Sequence, residues 1–226
     1  MAELQPDTER VGSWALLAAA VAVAVLYGIA LAELGISPAA TASGSRLTRW
    51  LFDNGGNVQW FAWSITVATP PLATIFALLR RLLPPPYRDV FLIGAVMTLA
   101  ATAVYTWTWA GLALHAEGLK PFVARTLLDV AIFYGPVLTG STTTMIAPVT
   151  LLAIRGRAGL PRWLGVVGAV AFAEQAVETI TIFGSTGFTQ PGGAMNMQLG
   201  AGLTLIWLLS FAIWGGLRGR FVYSIA

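Results

Sequence analysis

The stretch WLGVVGAVAFAEQAVETITIFG, residues 163–184, decides the fold. A transmembrane helix needs about 20 consecutive, mostly apolar residues. This run supplies them, yet its middle reads Glu174-Gln175-Ala176-Val177-Glu178. A carboxylate at the centre of a membrane helix costs a few kcal/mol even on the mildest scales, about 2.5–3.5. Side chains at i and i+4 share a helix face. Two ionised carboxylates there would repel, so one or both are expected to hold a proton or to face a partner or water. The reading is a polar site inside a membrane, with Glu174 and Glu178 as proton carriers or general acids and Gln175 between them.

The rest of the composition agrees with a membrane setting. Hydrophobic residues make up 57% of the 226-residue chain and charged residues 10%, against about 25% charged in a soluble domain. The length suits one bundle of helices. Cysteine is absent and His115 is the single histidine. This excludes disulfides, thiolate chemistry, Cys-ligated clusters and sites needing several His ligands. No metal and no cofactor are expected. The positive net charge of +3 is no signal for nucleic acid, because the basic residues sit at the ends of apolar runs, where membrane insertion accounts for them.

Six spans are expected, near 14–32, 61–79, 90–114, 126–154, 163–184 and 199–217, giving an all-α integral membrane bundle. Polar tails are expected at 1–13 and 218–226. The first run is read as a span rather than a signal peptide, because Glu3, Asp7 and Glu9 outweigh Arg10 where a signal peptide is basic. Between the first two spans an amphipathic segment is expected to lie on the bilayer. Leu47, Trp50 and Leu51 oppose Arg46, Arg49 and Asp53 there, and Asn54-Gly55-Gly56-Asn57 signals a turn. Thr69-Pro70-Pro71 should kink or break the second span. Gly135-Pro136 and Pro148 should bend the long fourth one.

Both termini are expected in the cytoplasm. On a six-span topology Arg10, Arg80, Arg81, Arg88, Arg155, Arg157, Arg162, Arg218 and Arg220 fall on one side, against Arg46, Arg49, Lys120 and Arg125 on the other. The positive-inside rule makes the first side cytoplasmic.

Depth along the helices then suggests where a site lies. At 1.5 Å per residue Glu174 and Glu178 sit about 16 and 22 Å from the cytoplasmic end of their span. Thr143 and Thr139 fall at about 17 and 22 Å in theirs, Thr98 and Thr102 at about 12 and 18 Å, and Thr69 and Pro70 at about 15 and 14 Å. Thr98, Thr102, Tyr105 and Trp109 make one stripe. Gly140-Ser141-Thr142-Thr143-Thr144 is a small, hydroxyl-rich centre, readable as tight helix packing or as a polar lining. Thr98, Thr102, Tyr105, Thr139, Thr142, Thr143 and Gln175 are therefore the expected substrate contacts. The charge-free loop 185–198 could fold back into the mouth of the bundle if protein covers it. His115 is read as a helix-end residue.

Three functions follow from such a site. The first is a small proton- or cation-coupled transporter, or permease-like protein, for a small molecule or ion. No internal repeat is evident, so a pathway would need a homo-oligomer. The second is a membrane-embedded enzyme using a buried carboxylic acid on an isoprenoid or other lipid substrate. The third is an accessory subunit of a larger membrane complex, the Glu pair bonding a partner helix. The turn Leu160-Pro161-Arg162-Trp163-Leu164-Gly165 and the end of the last span, Trp214-Gly-Gly-Leu-Arg218, resemble small multispan proteins of high-GC bacteria. That resemblance covers the last third of the chain, implies a bacterial inner membrane and implies no activity.

Overall fold

The structure is a computed structural model and describes residues 5–34 and 38–218, with the side chains of residues 5–11 left aside. The tail residues 1–4 and 219–226, and with them Arg220, lie outside the described residues, as do residues 35–37. Helix α1 is Gln5–Leu34, α2 Gly44–Arg80, α3 Tyr87–Leu114, α4 Pro121–Ile132, α5 Tyr134–Ile154, α6 Arg162–Glu178 and α7 Ala201–Arg218. Six helical segments are long and apolar enough to cross a membrane, with α4 and α5 counted as one. No strand occurs among the described residues. The protein is a multispan helical bundle. Helix α1 reaches back to Gln5, so part of the expected polar tail is helical.

The second span differs most from expectation. Residues Gly44–Arg80 form one helix of 37 residues. Ser43 caps it, its hydroxyl accepting from the Arg46 N–H at 3.3 Å. At 1.5 Å per residue the helix is about 55 Å long, well over the roughly 30 Å thickness of a bilayer's hydrocarbon. The amphipathic segment is thus the start of this helix. Its apolar face is the expected one, since Leu47 and Leu51 are buried while Arg46, Arg49 and Asp53 are exposed. The turn expected at Asn54-Gly55-Gly56-Asn57 does not form. Leu51 before it and Val58 after it join one buried cluster with Trp109, Leu112 and Leu128, and that packing outweighs the roughly 1 kcal/mol helix penalty of each Gly. Nor do Pro70 and Pro71 break the helix. Thr69 and Pro70 face outward, and the Thr69 hydroxyl bonds its own backbone at Ile65 O, 3.1 Å away.

The long fourth span is broken, at Phe133, between α4 and α5. Pro136 falls in the first turn of α5, where a missing N–H costs nothing. Pro148, the other expected bend, lies inside α5 without ending it. Helix α6 stops at Glu178 and continues as a 3-10 turn over Thr179–Phe183. Helix α7 is preceded by a π-helical turn, Met195–Gly200.

Two apolar cores stack along the bundle. One joins α1, α2, α3, α5, α6 and α7 around Phe76, Phe91, Trp207 and Phe211. Phe91 meets Phe76 and Phe211 edge-on, at centroid distances of 6.1 and 6.3 Å. The other joins the ends of α1 and α3 to the start of α2 and to α4, around Trp109. Trp109 and Trp207 are fully buried, so these two are core residues and not interfacial anchors. The Arg-rich ends lie together: the Arg218 guanidinium donates to Gly159 O at 2.7 Å, and Gly215 packs against Leu82, Leu16 and Leu79.

Candidate functional site

Between the two cores lies a cavity of about 120 Å³. It draws walls from both, Leu72, Phe76, Met145 and Leu208 from one and Ala30, Phe61, Ile65 and Tyr105 from the other. A water needs about 10–15 Å³ by this measure, so the space takes several waters or a slender organic molecule. Leu31 of α1 and Ala201 of α7 line the cavity and are also exposed on the outside of the bundle. The lining thus includes exposed positions on α1 and α7.

Glu178 is the ionisable group of carboxylate type on its wall. The last turn of α6 carries it inward, 2% exposed. Its oxygens are held by two amides: Gln175 Nε2 donates to Oε2 at 2.6 Å and Asn196 Nδ2 to Oε1 at 2.6 Å. Each amide is itself fixed. The Gln175 carbonyl accepts from the Thr142 hydroxyl, and the Asn196 carbonyl accepts from the Gly192 N–H at 3.0 Å. Asn196 Nδ2 also reaches Thr181 Oγ1 at 3.1 Å. The Thr181 hydroxyl donates to Glu178 O at 2.8 Å, serving the carbonyl where α6 gives way to the 3-10 turn. All five side chains are buried. A carboxylate has about four lone-pair positions, and the two amides fill one on each oxygen.

The π-helical turn explains how Asn196 gets there. Asn196 is the second residue of that turn, whose wider i→i+5 repeat sets it out of register with α7. Two glycines make room. A Cβ on Gly200 would meet Glu178 Oε2 and Gln175 Nε2, and a Cβ on Gly135 would meet Asn196 at 2.8 Å.

The expected site residues separate into two groups. Glu178, Gln175, Thr142, Thr98, Thr102 and Tyr105 line the cavity. Glu174, Thr139 and Thr143 do not. Glu174 is half-buried; one oxygen accepts from Gln175 Nε2 at 3.0 Å and the other, Oε1, is buried with no hydrogen bond. Thr139 and Thr143 bond carbonyls of their own helix. Thr69 and Pro70, exposed on α2, do not line the cavity either. The hydroxyls of Thr98 and Thr102 also bond back within α3, at 2.8 Å each, which leaves that wall largely apolar.

Sequence reasoning missed Asn196, Tyr27, Tyr134 and Thr204. Tyr134 hydrogen-bonds Thr102 Oγ1 at 2.9 Å and stacks on Tyr105 with centroids 4.2 Å apart. Thr204 Oγ1 lines the cavity buried and unbonded. The charge-free, amide-containing loop was the only signal for Asn196. His115 caps α3 and is exposed, and Asp129 is paired with Arg125. No Lys, Arg or His pairs with Glu174 or Glu178 among the described residues. No protein-family model, curated protein or solved structure matches the chain.

Proposed function

We propose that the protein takes a lipophilic small molecule from the bilayer into this cavity and holds its polar end against Glu178. The observation that carries the reading is a buried carboxylate, with lone pairs to spare, at the wall of an apolar cavity; the exposed lining residues Leu31 of α1 and Ala201 of α7 mark the entrance from the bilayer on this reading. An apolar chamber with a few convergent polar groups is the usual form of a small-molecule site. Thr204 Oγ1 adds a second unengaged polar atom. This favours the lipophilic-substrate reading over a permeation path for small ions, which would need a polar wall where Leu72, Phe76 and Ile65 stand. Glu178 also faces the cavity and not the outer surface, where a partner helix would meet it. On the same reading the Arg-rich end faces the cytoplasm of a bacterial inner membrane, by the positive-inside rule.

The test is saturable uptake of a simple lipophile. The full chain is placed in phosphatidylcholine nanodiscs, and radiolabelled n-octanol is partitioned between loaded and empty discs. Loaded discs should hold a saturable excess, and Thr204→Phe, which fills the cavity, should remove it. Equal partition into loaded and empty discs would overturn the reading.

A further inference from the structure

We infer that the polar end this cavity selects is an organic cation, an ammonium or quaternary ammonium group on an apolar body. The inference rests on the lipophile reading above and names the class of head group.

Charge is the first argument. Glu178 has no cationic partner among the described residues, and no Lys, Arg or His lines the cavity. Its two donors are neutral amides. A charge in an apolar interior is costly unless it is paired or neutralised by a proton, and a cationic ligand supplies the partner with which Glu178 can stay ionised. Glu174 already shares the Gln175 amide with Glu178, and an anionic head would bring a third carboxylate-like group with nothing to offset them. A primary ammonium has three N–H donors, which suit the lone pairs that Gln175 and Asn196 leave open and the free Thr204 Oγ1.

The aromatic wall is the second argument and is independent of the first. Tyr27, Phe61, Phe76, Tyr105 and Tyr134 line the same cavity. Tyr105 and Tyr134 are stacked at 4.2 Å, and Phe61 meets Tyr105 edge-on at 5.7 Å. Ring faces attract cations, most of all where water is excluded, and clustered rings are how quaternary ammonium groups are held. A carboxylate and a set of rings around one apolar chamber is a cation-selective combination.

The experiment uses one chain length and four heads: n-octanol, n-octylammonium, n-octyltrimethylammonium and octanoate. Each is measured with the full chain in phosphatidylcholine nanodiscs near neutral pH, with binding normalised to partition into empty discs. The expected result is saturable binding of both cations at least tenfold tighter than octanol, with octanoate weakest. Glu178→Gln should lower the cation-to-alcohol ratio at least threefold, the ring wall keeping the remainder, whereas Asp53→Asn, on the exposed face of α2, should leave it unchanged. The wild-type ratio decides even if the Gln variant fails to fold. Saturable octanol binding with no cation preference overturns the inference and leaves the lipophile site standing. No saturable binding of any of the four overturns both.

Discussion

Asn196 Nδ2 donates to Glu178 Oε1 at 2.6 Å, joining the π turn before α7 to the end of α6 across 18 residues. The same Asn196 side chain accepts from Gly192 N and reaches Thr181 Oγ1. The Asn196 amide thus fastens the loop between α6 and α7 to the site. Asn196→Ala would leave a buried carboxylate oxygen and the Gly192 N–H without their partner. Leaving such groups unpaired costs about 1–3 kcal/mol, more for a charged one. We expect a loss of about 2–3 kcal/mol on that basis, read by denaturant titration in bicelles. Asn57→Ala, exposed on α2, should be close to neutral, and equal effects of the two would contradict the arrangement.

Gly200 lets α7 approach the carboxylate. A Cβ there would meet Glu178 Oε2 and Gln175 Nε2, whereas one at Gly202 would meet nothing within 4 Å. Overpacking of this kind costs about 1–3 kcal/mol. Gly200→Ala should therefore destabilise by that amount and abolish saturable octylammonium binding. Gly202→Ala should do neither. A fully active Gly200→Ala protein would show that the π turn does not seat against Glu178.

Six spans were legible because long apolar runs are the strongest signal a membrane sequence carries. What sequence could not weigh was packing against local propensity. Asn54-Gly55-Gly56-Asn57 reads as a turn by composition, but Leu51 and Val58 on either side are both buried against one cluster, which keeps the helix unbroken. The Glu pair was only half legible. At about 100° per residue, side chains four apart differ by about 40° around the axis, and the edge of the buried face falls between Glu174 and Glu178. Asn196 was hidden for another reason, since a π turn in a charge-free loop leaves no periodicity to read.

The unbroken course of α2 gives its own prediction. A Cβ on Gly56 would meet nothing within 4 Å. In a turn that needs a glycine conformation Gly56→Ala would be destabilising. In a helix it should stabilise by about 0.5–1 kcal/mol. The sign of the change in thermal unfolding midpoint decides between the two.

Thr142 and Thr143 are neighbours with different duties. The Thr142 hydroxyl donates to Gln175 Oε1 and so orients the amide that holds Glu178. The Thr143 hydroxyl bonds Thr139 O at 2.6 Å, within its own helix. Hydrogen bonds between membrane helices are worth about 0.6–2 kcal/mol. Thr142→Val should cost about 1 kcal/mol by that measure and weaken octylammonium binding, since a loosened Gln175 no longer fixes the carboxylate. Thr143→Val should stay within about 0.5 kcal/mol of wild type. Matching losses in both variants would mean that Gln175 is held by something other than Thr142.

Tyr134 separates the hydrogen bond from the ring. Its hydroxyl pairs with Thr102 Oγ1 at 2.9 Å, while its ring stacks on Tyr105. Tyr134→Phe removes the first and keeps the second. The cost to stability should be about 1 kcal/mol, the worth of a typical intramolecular hydrogen bond. Octyltrimethylammonium has no N–H to donate and depends on ring faces and charge, so its affinity should survive in Tyr134→Phe and fall in Tyr134→Leu. Loss of affinity in the Phe variant would assign the hydroxyl, and not the ring, to the ligand. Retention in the Leu variant would take the Tyr105–Tyr134 stack out of cation binding and leave the selectivity to Glu178.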